Sequence, residues 1–400
     1  MKTKLLFVME SLRIGGAEKS LVTLLSQLDY SQYEVDLFLF SPKGEFMNLL
    51  PKEVNLLEVP KDFENFILQP NRSLINLIRN KRIKLLIYKI TQLIMLSIYH
   101  FIFKKEYIGW NFIRKSIGII DKQYDVAIGF LEKKSIYFVV DKVQAEKKIG
   151  WIHTDYRKIE FNYKLDEKYL SKLDDIITVS NPCRVSLIEI FGHIKHKVSV
   201  IENFISPKLI NELANEIRDI KEINRISEGS LIVVTVARLT KAKNLGIIID
   251  AVKILKKKYK IKWFIVGDGE LRDELSNLIK MNGLNEEIIL VGAQLNPYQF
   301  MKRADIYVQT SLWEGFGITV AEAKALNKPI IVSSIPEFKS QIQHEKTGLI
   351  YHSLEELINY IDILIHNTNF KLQLINNLSN QKNEEIIQIK QINNLLNRRI

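Results

Sequence analysis

The sequence predicts an α/β protein made of two successive halves, each with a parallel sheet, and three observations carry that reading. Short apolar runs alternate with amphipathic stretches along most of the chain, the pattern of parallel sheets flanked by helices. The alternation lapses once, between residues 207 and 229, where the sequence turns polar and strand signals stop. Several runs end in glycine-containing loops ahead of a helix, the arrangement found at the ligand-binding ends of open α/β sheets.

Taken in order, the strand-like runs of the first half are 4–9, 33–40, 54–59, 125–130, 148–153, 176–180 and 198–201. Helical patterns follow several of them, notably 17–28 and 182–191. The latter begins with Pro182 after Asn181, a candidate N-cap, because proline costs nothing where no helical N–H bond is made. Residues 1–206 therefore form a first domain and 207–229 a connection. A second domain, 230–365, carries the runs 231–237, 263–266, 288–291, 305–309 and 329–333. The remainder, 366–400, is rich in asparagine and glutamine, with isoleucine and leucine at helical spacing; it reads either as a terminal helix or as a frayed tail. No internal sequence repeat is visible.

Four hundred residues with 46% apolar content suit a folded chain of two or three domains. One cysteine, Cys183, cannot make an intramolecular disulfide, and no Cys/His group has metal-ligand spacing, which points to a reducing cytoplasm without structural zinc. Lys2 and Lys4 precede an apolar run too short for a secretory h-region and closed by Glu10, so it reads as the first strand.

The net charge of +11 is concentrated. Ten basic residues and one acid, Glu106, lie between residues 70 and 118, interleaved with aliphatic and aromatic side chains. The longest uncharged piece, 90–103, contains Gln92 and His100 and falls short of the ~20 apolar residues needed to cross a bilayer. Two readings follow: an interfacial segment at an anionic membrane surface, or core helices with a solvated basic face. A nucleic-acid surface is disfavoured, because the charges alternate with core-like aliphatics and form no recognisable module.

The chemistry-bearing motifs lie after strands of the second half. Glu314-Gly315-Phe316-Gly317-Ile318 follows the run at 305–309 and is succeeded, eight positions after Glu314, by Glu322 on the opening turns of a helix. The glycines let a ligand approach the main chain, and two carboxylates about two turns apart suit a ligand with many hydroxyls, such as a sugar nucleotide. A capped helix after a polar turn is the plain alternative for a Glu-Gly pair alone. Arg238 and Lys243 follow the run at 231–237 and suit a diphosphate clamp, arginine as a planar fork and lysine as a point charge. Near the N-terminus, Gly15-Gly16-Ala17-Glu18 opens a helix after the first strand, where backbone amides can meet an anion. It lacks the full dinucleotide fingerprint, so a nicotinamide or flavin enzyme is disfavoured.

Together these motifs resemble the retaining glycosyltransferases of family 4. The resemblance covers the donor half closely, through the glutamate pair and the run Arg238-Leu239-Thr240-Lys241-Ala242-Lys243-Asn244, and leaves the first domain without a usable acceptor pattern. It implies the GT-B architecture, two Rossmann-like domains with parallel sheets facing across a cleft, in which the terminal helix returns to the first domain. It further implies that Glu314 and the amides of Gly315 to Ile318 hold the donor sugar and Glu322 the ribose. Arg238 and Lys243 would hold the diphosphate, with the Gly15-Gly16 loop closing over it and Gly267, in Val266-Gly267-Asp268-Gly269-Glu270, near the nucleotide. His153, in Trp151-Ile152-His153-Thr154-Asp155, is implied at the reacting face of the sugar; a lone histidine is otherwise more often structural. Ser180-Asn181 occupies the place of a family Val-Ser pair and reads as a helix start.

The expected reaction moves a sugar from a nucleoside diphosphate sugar, by family frequency a UDP-sugar, to a saccharide acceptor, with retention and with domain closure excluding water. No cofactor is expected, and with no Asp-x-Asp motif the cationic side chains would replace a metal. A cytoplasmic enzyme with a basic, aromatic-rich first domain suits a lipid-linked acceptor at the inner face of the membrane, in surface or capsular polysaccharide assembly. The alternatives are a sugar-nucleotide enzyme of another type on the same fold and a catalytically silent partner subunit.

Overall fold

A computed structural model describes residues 2–99, 107–216, 228–379 and 384–397. It divides into two units, one comprising residues 1–13, 17–202 and 390–400, the other residues 14–16 and 203–389. Both are open parallel α/β sheets.

The first unit carries seven strands: β1 (Thr3–Met9), β2 (Tyr33–Leu39), β3 (Asn55–Leu56), β4 (Ile120–Gly129), β5 (Val143–Ile152), β6 (Asp175–Thr178) and β7 (Val198–Val200). Their order is β3-β2-β1-β4-β5-β6-β7, every pairing parallel. The chain winds one way from β1 and the other way from β4, so the carboxyl ends of β1 and β4 flank the point where the winding reverses. β1 reads as five consecutive buried residues, Leu5 to Met9, as expected of a strand covered on both faces. Helix Gly16–Gln27 buries Leu21, Val22, Leu24 and Leu25, and an aromatic cluster in which Phe38 stacks on Phe138 at 4.5 Å fills the core.

Helix Asn181–Ile190 is capped by Ser180, whose Oγ accepts from the Cys183 N–H at 3.3 Å; Asn181, the expected cap, is already helical. β3 is two residues long where a six-residue run was expected. Toward the C-terminus, helix Glu384–Asn397 buries Ile392, Leu395 and Leu396. Lys147 Nζ donates to Leu395 O at 2.9 Å and pairs with Asp175 at 2.8 Å, so this end of the chain is a helix packed on the first unit.

The second unit carries β8 (Leu231–Val236), β9 (Ile261–Val266), β10 (Ile288–Gly292), β11 (Ile306–Gln309), β12 (Ile330–Ser333) and β13 (Leu349–Tyr351), ordered β10-β9-β8-β11-β12-β13. All are parallel, and the winding reverses between β8 and β11. A polar relay ties the three central strands: buried Trp263 Nε1 donates to Thr235 Oγ1 at 3.0 Å, and Thr235 Oγ1 donates to Val308 O at 2.7 Å. The segment read as a connection begins with a helix, Pro207–Ala214, capped by Ser206, whose Ile210 and Ala214 join this unit's core. Most of the rest of that segment, 217–227, lies outside the described residues.

Candidate functional site

The reversal point of the second sheet brings together the loops that follow β8 and β11, and with them the predicted residues Arg238 and Lys243 and the predicted run Glu314 to Ile318. After β8 the chain passes through Arg238, a short 3₁₀ turn at Lys241–Lys243 and Asn244 in the left-handed region (φ 48°) before helix Gly246–Leu255 begins. Asn244 is thus the residue that redirects the chain, two positions before the helix.

The β11 loop is bonded to this turn by main chain and side chain. Leu312 N donates to Ala242 O at 2.8 Å, and Thr310 Oγ1 donates to Lys243 O at 2.6 Å. Across the two loops Lys243 Nζ meets Glu314 Oε1 at 2.5 Å, and Ser311 Oγ donates to the same oxygen at 2.7 Å. Both charged side chains are mostly buried, at 19% and 11% exposure, so the attraction is weakly screened. Arg238 is exposed, and its side chain makes no hydrogen bond or ion pair with a described residue. The two cations expected to act alike therefore stand in different states: Lys243 is engaged, Arg238 is open.

Gly317 caps helix Ile318–Ala325 in a left-handed conformation (φ 85°), and a Cβ there would lie 2.5 Å from Phe338 Cε1. Glycine is required on both counts. Gln341 Nε2 donates to Phe316 O, and Phe316 is buried, which fixes the loop between Glu314 and the helix. Gly315 and Ile318 are partly exposed beside it. Glu322 lies on the buried side of the helix at 1% exposure, where Tyr298 Oη donates to its Oε1 at 3.1 Å. Burial, with the neighbouring carboxylate second, raises the Tyr298 phenol well above its ordinary range, so it stays a hydrogen-bond donor.

Gly267 has a backbone reason to be glycine. At φ 145° its Cβ would fall 1.9 Å from Ala237 O, and one at Gly269 would fall 2.5 Å from Leu239 O. Leu239 N donates to Asp268 O and Leu271 N to Leu239 O, each at 3.0 Å. The 267–271 turn thus lies main chain to main chain against the loop that carries Arg238 and sets its course.

In the first unit, His153 follows β5. Its ring lies 4.9 Å from that of Phe130 and 6.4 Å from that of Trp151, and both ring nitrogens are buried without a hydrogen-bond partner among the described residues. Burial lowers its pKa to about 3, so the imidazole is neutral at pH 7. The His153 N–H donates to Glu132 Oε2 at 3.0 Å. Glu132, beyond β4, is a residue the sequence motifs did not single out; burial raises its carboxyl above the usual range, against the hydrogen bond from His153. Lys133 after it has φ 65°, a conformation uncommon for a lysine. Gly15 and Gly16 follow β1, and residues 14–16 group with the second unit, not the first.

Thr310, Ser311, Tyr298 and Gln341 also went unmarked, and only Ser311, three positions before Glu314, had a sequence signal to offer. Among the described residues no three His, Cys, Asp or Glu side chains gather as a metal site.

Residues 216–381 match the family model described as Glycosyl transferases group 1. An uncharacterized glycosyltransferase of Methanocaldococcus jannaschii is 36% identical over 166 residues, 41% of each chain. The N-acetylgalactosamine-N,N'-diacetylbacillosaminyl-diphospho-undecaprenol 4-alpha-N-acetylgalactosaminyltransferase of Campylobacter jejuni is 26% identical over 332 residues, 80% of this chain and 78% of that one. The matches span 41% and 56% of the lengths of the first two curated relatives. Among solved structures, Anabaena HepE in complex with UDP and glucose superposes with a TM-score of 0.71 at 18% identity, over 98% of this chain and 99% of that one. Staphylococcus aureus TarM superposes at 0.66 with 14% identity, over 100% and 99%. The fold is GT-B.

Proposed function

We propose, from a GT-B fold whose second unit carries the group 1 glycosyl transferase match, that the protein is a retaining glycosyltransferase of the family 4 type. It would move a sugar from a nucleoside diphosphate sugar to a saccharide acceptor. The observation that carries this is the Lys243–Glu314 pair beside the open Arg238 where the winding of the sheet reverses. A diphosphate arriving at this loop meets Arg238 at once and competes with Glu314 for Lys243. Drawn to phosphate, Lys243 releases a carboxylate oxygen that then accepts hydroxyls of the donor sugar. The pair thus keeps the two charges compensated by each other.

In the reaction the bond from the anomeric carbon to the diphosphate breaks and its electrons pass to the phosphate oxygen. The acceptor oxygen bonds to that carbon and its proton passes to the departing phosphate oxygen. Charge grows on the departing phosphate, and Arg238 and Lys243 stabilise it; one such contact is typically worth about 10²–10³ in rate. Glu314 acts as a positioning group for the sugar. The family resemblance adds the Gly15 and Gly16 amides at the diphosphate, Gly267 near the nucleotide, Glu322 at the ribose and His153 at the sugar, with no metal. UDP as carrier, a lipid-linked acceptor in surface polysaccharide assembly and a cytoplasmic, membrane-peripheral location complete the proposal. They are favoured by the UDP complex of HepE and by the diphospho-undecaprenol acceptor named for the Campylobacter relative.

The test is thermal stabilisation of the purified protein by a panel of nucleoside diphosphate sugars, with Glu314→Ala and Arg238→Ala as controls. One donor should stabilise the wild type selectively and neither control. Indifference to every donor and to free UDP and GDP would replace this reading with a catalytically silent subunit.

A further inference from the structure

The helical pair in the basic segment is turned inside out. Helix Pro70–Arg79 and helix Ile83–Tyr99 are joined by a turn at Lys81 (φ 55°). Along the second helix, Ile83, Ile87, Ile90 and Ile94 follow the i, i+4, i+7, i+11 spacing of one face, yet they are 43–68% exposed. Ile75 and Ile78 on the first helix are each 62% exposed. The face that packs on the protein holds Leu85, Lys89 and Gln92, all under 9% exposed. Lys89 spends its ammonium on Phe66 O at 2.8 Å and lies 5.0 Å from the Phe66 ring. An ordinary surface helix buries its isoleucines and exposes its lysine and glutamine; here the fold does the reverse, which leaves an apolar ridge facing outward.

Charge selects what covers it. Residues 70–99 contain no acid. Arg72, Arg79, Lys81 and Lys84 are exposed and unpaired among the described residues, while Arg82 is tied to Asp62 at 2.7 Å. A second copy of the chain laid ridge to ridge would bring two such cationic sets together at a cost. Nucleic acid would satisfy the cations and leave the isoleucines in water. An anionic bilayer surface satisfies both, taking the isoleucines at the boundary of headgroups and acyl chains and the cations at its phosphates. The helix Ile83–Tyr99 is about 25 Å long, short of the hydrocarbon thickness, and no described helix is long and apolar enough to cross a membrane.

We propose that the six isoleucines and the four free cations of the 70–99 helical pair form an interfacial docking face for anionic lipid. It gives the membrane location in the proposed function a residue-level basis but needs no donor or acceptor to be tested.

The experiment is co-sedimentation of the full chain with phosphatidylcholine vesicles with and without phosphatidylglycerol. The wild type should sediment with the anionic vesicles, less with neutral ones, and less as salt rises. Ile87→Ser/Ile90→Ser should lower partitioning, and so should Arg79→Glu/Lys84→Glu, the latter by at least about tenfold at roughly a factor of five per lost basic contact. Unchanged melting temperatures establish that these surface variants fold; should the first pair fail to fold, Ile75→Ser/Ile78→Ser on the other helix takes its place. Three results overturn the proposal: no binding to anionic vesicles, isoleucine variants that bind as the wild type does, or a dimer in light scattering that the isoleucine variants dissociate. Because no nucleotide sugar is present, failure here leaves the donor-site reading standing, and failure of donor binding leaves this one standing.

Discussion

Lys243 Nζ lies 2.5 Å from Glu314 Oε1 although 71 positions separate the two residues in the chain. The contact is made because β8 and β11 are neighbours in the sheet and the loops beyond them are bonded to each other. It joins the element expected to hold phosphate to the element expected to hold sugar.

Removing either member leaves a mostly buried charge uncompensated. Glu314→Gln and Lys243→Met should each lower stability by about 1–3 kcal/mol, and the double variant by less than the sum. Chemical denaturation of all four proteins measures the coupling. With a donor sugar present, each single variant should lose about 10²–10³ in transfer rate.

Arg238 presents the opposite case. It is exposed and its side chain makes no hydrogen bond or ion pair with a described residue, so Arg238→Ala should change stability by no more than ~0.5 kcal/mol. Donor binding measured by calorimetry should nonetheless fall sharply, and Arg238→Lys should recover only part of it, since lysine lacks the planar fork. A variant that binds donor as the wild type does would remove Arg238 from the site.

Two glycines should respond oppositely to alanine. Gly317→Ala meets both a positive φ and Phe338, and should cost at least about 1–3 kcal/mol. Gly246→Ala opens a helix with no atom within 4 Å of the new Cβ, and should be neutral or stabilising by up to ~1 kcal/mol. Melting temperatures of the two variants decide it.

Acidification should act through His153. Its folded pKa of about 3 lies below the ordinary 6.5, so the unfolded chain binds more protons between those values. Stability then rises with pH across that window and is lost as pH falls, at up to about 1.4 kcal/mol per pH unit. His153→Gln should flatten the slope in denaturation series between pH 4 and 6.5.

Glu132 carries the reverse sign. Its carboxyl is raised above 4.5, so the folded state keeps a proton that the unfolded chain has released, and stability is lost as pH rises through the raised value. Glu132→Gln retains an acceptor for the His153 N–H and removes the ionisation. It should match the wild type near pH 4 and exceed it in melting temperature at pH 7 to 8.

The sequence by itself determined the two-part parallel architecture, because a strand buried on both faces must be apolar throughout and helices between parallel strands must be amphipathic. Runs such as 4–9 and 231–237 declare this locally. It also marked the loop that carries Gly315 and Gly317, since a chain that turns into a helix in the left-handed conformation, as Gly317 does, favours glycine. β13, three residues long, is too short to show a period, β3 fills only two residues of the run read at 54–59, and the helix Pro207–Ala214 was hidden in a polar stretch.

Only the tertiary structure decided which partners these elements meet. Periodicity states that a helix has faces and leaves open which one the protein takes. Residues 83–99 are apolar on both sides, so the burial of Lys89 and Gln92 in place of Ile87 and Ile90 could be settled only by the packing of that helix. In the same way Glu322, expected at the ribose, accepts from Tyr298, and Lys243, expected at the diphosphate, pairs with Glu314. Such contacts arise between segments distant in the chain, and strand order, which no local pattern encodes, sets them.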